Sequence, residues 1–142
     1  MKLTNLKTLA AGIVTLWFSA AGLLAQSGVD VVANNSVATA SLDKAALKDI
    51  LMGKTAYWPG GEAVTIVVLT DKTDAALQEA TGMSGSAFKT FWQRLAFSGR
   101  GKQPKEADTV EKVLAIVAET KGAIAMVPAG TTLTGVKKIE LK

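Results

Sequence analysis

The segment VTIVVL, residues Val64 to Leu69, is almost entirely apolar. A short apolar run of this kind is typical of a central strand that is covered on both faces of a sheet. Two stretches with helical patterns follow it, Asp74 to Ala80 and Ser84 to Phe97. A buried strand followed by helices predicts an α/β fold in which helices pack on the sheet.

Three further segments predict the other strands of this sheet. Val29 to Ala33 and Ala123 to Val127 are short apolar runs, and Pro128 ends the second of them. Val136 to Leu141 carries two lysines and predicts a weaker strand at the edge of the sheet. The Asn34-Asn35-Ser36 stretch after the first strand predicts a turn, with a ligand-binding strand end as the alternative.

The stretch from Ser84 to Phe97 has the strongest helical pattern in the chain. Phe88, Phe91, Trp92 and Leu95 recur at i, i+3, i+4 and i+7, which predicts that they form a core-facing stripe. The polar residues 98–109 after it predict a loop.

Short polar motifs predict where the other helices begin and end. Ser41 predicts the N-cap of a helix with Asp43 in its first turn, and Gly53 predicts the end of that helix. Asp108 and Glu111 have the spacing of a capping box, which predicts a helix that begins beside them. Tyr57 and Trp58 predict packing at the edge of the core, with a stacking surface as the alternative.

The first 25 residues have the layout of a secretory signal peptide. Lys2 and Lys7 precede an uncharged run of about 16 residues, Leu9 to Leu24, which ends in small residues with cleavage expected after Ala25 or Ala21. A retained membrane anchor is the alternative, but about 20 residues are needed to span a bilayer. We therefore expect a signal peptide over residues 1–25, one domain over residues 26–142, and a periplasmic location.

The composition excludes several classes of function. There is no His and no Cys, so a Ser-His-Asp triad, a Cys nucleophile and the usual zinc, haem and iron–sulfur sites are ruled out. We expect no cofactor, no metal and no enzyme activity, although a Ser–Lys or paired-carboxylate enzyme stays formally open. The net charge of +4 falls to +2 without Lys2 and Lys7, which predicts no nucleic-acid partner.

Three segments, in this order and spacing, resemble the phosphate-type periplasmic substrate-binding proteins of ABC transporters. SLDKAALKDILMGK (Ser41 to Lys54) with YWPGG (Tyr57 to Gly61) looks like the family's "L…L..IF.GK…W..G" segment. FWQRLAFSGRG (Phe91 to Gly101) resembles a stretch of small single-lobe members, and KGAIAMV (Lys121 to Val127) is similar to the "pGAIGYV" strand. The resemblance implies a single lobe of the type-2 periplasmic-binding-protein-like fold, a mixed sheet flanked by helices.

Full-length members have two such lobes and hold phosphate in the cleft between them, with an Arg and a Ser-Gly-Thr run in the loop after the central strand. This chain has neither in that loop, where Asp71 and Asp74 would repel a dianion. Ala125 and Met126 also replace the family's Gly-Tyr. The residues of the loop that could still hold an anion are Thr70, Lys72 and Thr73.

A second candidate anion site follows the aromatic helix. Arg100 has no acidic residue within five positions on either side and could bind a phosphate or carboxylate as a fork. The alternative is an ordinary helix C-terminus with a glycine stop and cations placed against the helix dipole. In the same way, the loop after Leu69 could be a plain turn capped by Asp71. The candidate residues of this second site are Ser98, Gly99, Arg100 and Gly101.

Two hypotheses of function follow. The first is an exported solute-binding-protein-like module that binds phosphate or another small oxyanion weakly in association with a transport system. The second is an interaction or regulatory domain that kept the lobe fold, lost anion binding and contacts a periplasmic or membrane partner protein. We expect the chain to contact the membrane only transiently, through the signal peptide.

Overall fold

A computed structural model describes residues 28–70 and 72–142 of the chain. The predicted signal peptide and the predicted Asp71 cap lie outside the described residues. The described part contains six strands and four helices in this order: β1 Val29–Asn34, β2 Ser41–Leu42, α1 Lys44–Leu51, β3 Thr65–Leu69, α2 Asp74–Thr81, α3 Gly85–Phe97, β4 Lys105–Ala107, α4 Val110–Glu119, β5 Ala123–Pro128 and β6 Val136–Leu141.

The strands form one sheet in the order β2-β6-β1-β5-β3-β4. β1 runs antiparallel to both of its neighbours, β5 and β6, whereas β3 runs parallel to β5 and β4. The predicted mixed sheet flanked by helices is therefore confirmed, and all four predicted strands are present.

The prediction that β6 is an edge strand is wrong. β6 lies between β1 and β2, because Ser41 and Leu42 pair with Glu140 and Leu141 in a short parallel ladder. A strand of two residues is too short to show an alternating pattern in sequence.

The prediction that residues 98–109 form only a loop is also wrong. Lys105 to Ala107 form β4, which pairs in parallel with Val67 to Leu69 of β3 at the edge of the sheet. Because β4 begins with two charged residues, its sequence predicts a polar loop, although charged residues are common on edge strands.

The two faces of the sheet are covered differently. α1, α2 and α3 bury one face, with Val31, Ile124 and Ile139 in that core. α4 covers the other face, where it packs on residues such as Val32 and Val127. Neighbouring residues of β1 thus enter opposite cores, as the alternation of side chains along a strand requires.

The helix starts differ from the predicted caps. The carboxylate of Asp43 accepts a hydrogen bond from the backbone N–H of Ala46 and caps α1, whereas Ser41 belongs to β2. The hydroxyl of Thr109 caps α4 by accepting a hydrogen bond from the backbone N–H of Lys112. The N-cap is therefore Thr109 and not Asp108, which the capping-box spacing predicted. In both cases the observed cap lies closer to the first helical turn than the predicted one, by two residues in α1 and by one in α4, so that its oxygen reaches the unpaired N–H groups.

The aromatic helix packs as predicted. Phe88 and Trp92 are buried and Phe91 packs against them from a half-buried position, with edge-to-face ring contacts to Trp92. Trp58 is buried as well, and its indole N–H donates to the carbonyl oxygen of Gly122 at 2.9 Å. Tyr57 is 64% exposed, so only Trp58 of that predicted pair belongs to the core.

The Asn34-Asn35-Ser36 turn is structural. The amide group of Asn34 is buried and donates to the carbonyl oxygens of Val117 and Ala118 at the end of α4, at 2.8 and 2.9 Å. Its side-chain oxygen accepts from the N–H of Ser36.

In the described residues no helix is long and apolar enough to cross a membrane.

Candidate functional site

A cavity of about 290 Å³ opens beside the carboxyl end of β3 and the start of β4, next to the N-termini of α2 and α3. Ligands of open α/β sheets bind at such strand ends, which makes this cavity the candidate site. Leu77, Phe88 and Trp92 line its apolar part. Its polar lining consists of Thr70, Asp74, Ser86, Lys89, Gln103 and Glu106.

The N-terminus of α3 faces this cavity together with a carboxylate of the chain itself. A Cβ atom added at Gly85, the first residue of α3, would lie only 2.1 Å from Oδ1 of Asp74. The Asp74 carboxylate therefore lies directly against the start of α3, where the unpaired N–H groups of a helix favour a negative charge. An incoming anion would meet this internal carboxylate at the same helix end.

The cationic group of the cavity is already paired. Nζ of Lys89 lies 3.2 Å from Oε2 of Glu106, which β4 brings across the cavity from α3. Asp74 and Glu106 together outnumber this one lysine. The cavity is thus acidic on balance, which disfavours a phosphate dianion.

The acidic character continues along the same sheet end. A shallow depression of about 510 Å³ is lined by Thr70, Glu106, Asp108 and Lys112, among others. Nζ of Lys112 donates to Oδ1 of Asp108 at 2.7 Å, and this hydrogen bond holds the pKa of Asp108 below its ordinary value. The second lysine of this end is therefore also paired with a carboxylate.

The three residues predicted after β3 have separate roles. Thr70 lines the cavity, while its N–H and hydroxyl both donate to the carbonyl oxygen of Ala107. Thr73 is 2% exposed, and its hydroxyl donates to the carbonyl oxygen of Leu69 at 2.8 Å. Lys72 is exposed and does not line the cavity.

The Ser98–Gly101 segment closes the end of α3. The N–H of Arg100 and the hydroxyl of Ser98 both donate to the carbonyl oxygen of Leu95, and Gly99 has a φ of 73°. This is the geometry of a glycine-terminated helix, which was the alternative interpretation of the motif. None of the four residues lines the cavity that Thr70 lines, so this cavity does not bring the two predicted groups together.

Sequence reasoning missed Lys89, Gln103 and Glu106. Lys89 reads as an ordinary solvent-facing residue of an amphipathic helix, and the other two lie in a stretch that reads as loop. The ion pair between α3 and β4 becomes visible only when β4 is paired with β3.

Several solved structures have a similar fold. An ABC-type phosphate transport receptor of Vibrio cholerae aligns with a TM-score of 0.56 and 15% identity over 80% of this chain and 46% of its own. A Clostridium perfringens protein assigned as a phosphate ABC transporter substrate-binding protein, solved with bound phosphate, aligns with a TM-score of 0.63 and 18% identity over 80% and 44%. PstS of Borrelia burgdorferi aligns with a TM-score of 0.56 and 11% identity over 81% and 47%.

These similarities establish the fold. The described residues have the α/β fold of one lobe of a phosphate-type substrate-binding protein, as the sequence resemblance implied. The chain spans less than half the length of each of these three proteins. No protein-family model and no curated protein sequence matches the chain.

Proposed function

We propose that this chain is an exported module with the fold of one solute-binding-protein lobe, and that it acts by contacting a partner protein of a transport system. In this proposal the strand-end cavity does not hold phosphate. The observation that carries it is the contact of the Asp74 carboxylate with the start of α3. That position is the one at which a helix N-terminus would otherwise attract an external anion.

The remaining charges of the cavity support the same proposal. A phosphate dianion would face Asp74 and Glu106, and the ammonium group of Lys89 is already engaged by Glu106. The side chains of Lys89 and Glu106 are also partly exposed to water, where each ion pair contributes about 0–1 kcal/mol. Such a site offers no source of tight phosphate binding.

Reversing the charge balance of the cavity tests the proposal. We expect that residues 26–142 bind phosphate more weakly than ~10 mM by calorimetry at low ionic strength, whereas the Asp74→Asn/Glu106→Gln variant binds in the ~1 mM range. The matched control is Glu119→Gln/Glu140→Gln, which removes the same charge from exposed positions of α4 and β6. Submillimolar binding by the unmodified chain, with no gain in the cavity variant, would contradict the proposal.

Weak oxyanion binding at the end of α3 is the second candidate function. Arg100 is exposed, forms no ion pair within residues 28–70 and 72–142, and has no acidic residue within five positions. In this case phosphate binds at millimolar concentration, weakens with salt, and is lost in Arg100→Ala but not in Lys44→Ala. Thr70, Lys72 and Thr73 are secondary contributors in this candidate.

We propose no catalytic role and no cofactor, because the chain has no His or Cys from which a common nucleophile or metal site is built. Two of the similar proteins are named as a phosphate transport receptor and a phosphate ABC transporter substrate-binding protein. A periplasmic location, reached through the signal peptide, is part of the proposal.

A further inference from the structure

One side of α3 and the loop after it carry apolar and cationic side chains that the proposed function has not used. We call the set Ala87, Phe91, Arg94, Phe97 and Arg100 the α3 strip; Phe91 is half-buried, the other four are exposed, and Arg100 lies in the loop after the helix. The first three line a shallow groove along the helix, and Phe97 is 98% exposed one turn after Arg94. An exposed phenylalanine with one arginine three residues before it and another three residues after it has the composition of a protein-binding surface, where aromatic residues and arginine are enriched.

The backbone beneath the end of this strip is held in place. The N–H of Ser98 donates to the carbonyl oxygen of Arg94, and the N–H of Arg100 donates to that of Leu95. Gly101 packs so closely on the indole ring of Trp92 that an added Cβ atom would lie 2.9 Å from it. The strip is thus presented from a fixed helix end, which lowers the entropy lost when a partner binds.

The sequence that contains the strip carries charge of one sign. Residues 80–105 contain no acidic residue and five basic ones, Lys89, Arg94, Arg100, Lys102 and Lys105. Within the described part of the chain, only Lys89 of these five forms an ion pair. The four cations of this stretch that form no ion pair among the described residues favour a partner of negative charge.

We infer that the α3 strip docks onto an acidic surface of a partner protein, with the Phe97 ring entering an apolar pocket between the acids. This inference rests on the proposed function and adds the surface and the chemistry of the partner to it. A membrane is the less favoured occupant, because the strip has no Trp or Tyr, the aromatic residues of membrane interfaces. Its rigid, arginine-rich presentation also suits a shaped protein surface better than a fluid one.

Site-specific photocrosslinking of the full chain in cells of the source organism tests the inference. We expect a benzophenone amino acid at position 97 to yield one discrete protein adduct, whose crosslinked peptide carries clustered Asp and Glu. The double variant Arg94→Glu/Arg100→Glu is expected to lower the adduct yield about tenfold or more. The matched variant Lys44→Glu/Lys48→Glu, which reverses two exposed lysines of α1, is expected to leave the yield unchanged.

The same crosslinker at Glu79 and at Ala118 separates the failure of this inference from the failure of the proposed function. Adducts from position 79 or 118 but not from 97 would show that the partner docks elsewhere than on the α3 strip. This result would overturn the inference and leave the proposed partner-binding function in place. The absence of adducts from all three positions would contradict both. The inference would also be overturned if the peptide crosslinked to position 97 were not acidic. The same holds if the adduct yield at position 97 did not fall in Arg94→Glu/Arg100→Glu.

Vesicle sedimentation covers the membrane alternative. Residues 26–142 are expected to stay in the supernatant with phosphatidylglycerol-containing vesicles. Sedimentation that Phe97→Ala abolishes would make the strip a membrane anchor and overturn the inference. Circular dichroism of each variant confirms that the exposed substitutions leave the fold intact.

Discussion

The indole Nε1 of Trp92 donates a hydrogen bond of 3.0 Å to the carbonyl oxygen of Leu51, which joins the middle of α3 to the last residue of α1. Gly53 and Gly101 both pack against the same ring, and a Cβ atom added to either would lie 2.9 Å from it. One side chain therefore fixes the end of α1, the body of α3 and the loop after Phe97 relative to one another.

Truncation of Trp92 should cost a large part of the stability of this domain. We expect Trp92→Ala to lower the free energy of unfolding by about 3–5 kcal/mol, because it removes a buried ring and leaves a cavity between α1 and α3. Urea denaturation followed by circular dichroism measures the change. Phe97→Ala on the same helix is the control and should stay within about 0.5 kcal/mol of the unmodified chain. A free energy of unfolding of Trp92→Ala close to that of the control would contradict this role.

Gly122 should tolerate no side chain. Its φ is 73°, and an added Cβ atom would lie 2.1 Å from the carbonyl oxygen of Ala63. Gly122→Ala must therefore displace the chain before β3 and disturb the hydrogen bond from Trp58, in addition to the about 1–2 kcal/mol of a left-handed alanine. Gly130→Ala, at a φ of 80° with open space around it, isolates the backbone cost alone. Equal unfolding midpoints for the two variants would show that the close approach to Ala63 is absent in solution.

Lys112 should control the titration of Asp108. The hydrogen bond from Lys112 lowers the pKa of Asp108 from its ordinary value of 3.8, so we expect Lys112→Gln to raise it toward that value. Because the folded-state pKa is the lower one, the stabilisation is present above the unfolded pKa and is lost as the pH falls through the folded pKa. NMR titration of the side-chain carboxyl measures the shift, with Lys48→Gln as the distant control. An identical Asp108 curve in both variants would contradict the pairing.

Export should remove the N-terminal segment. The lysines at positions 2 and 7 and the uncharged run that follows predict cleavage near Ala25. Mass spectrometry of the protein isolated from its source should find the N-terminus at or near Gln26. Recovery of intact Met1 in the membrane fraction would instead favour a retained anchor.

Local sequence patterns predicted much of the fold. The strands β1, β3 and β5 are apolar runs, and α3 has a periodic apolar stripe, so each signal lies within the residues that form the element. β2 and β4 were not predicted, because their formation depends on the neighbouring strands Val136–Leu141 and Thr65–Leu69 rather than on their own residues.

The candidate site was also predicted from the sequence only in part. The sequence alone determined that the loop after Leu69 lacks the family's anion-binding residues and carries acids instead, because that is a matter of composition over a few positions. Only the tertiary structure decided that Asp74 lies against Gly85, that Lys89 pairs with Glu106, and that Arg100 stays outside the cavity. The physical reason is that these contacts join separate elements, α2 with α3 and α3 with β4, whose approach is decided by strand pairing and core packing rather than by the residues that meet.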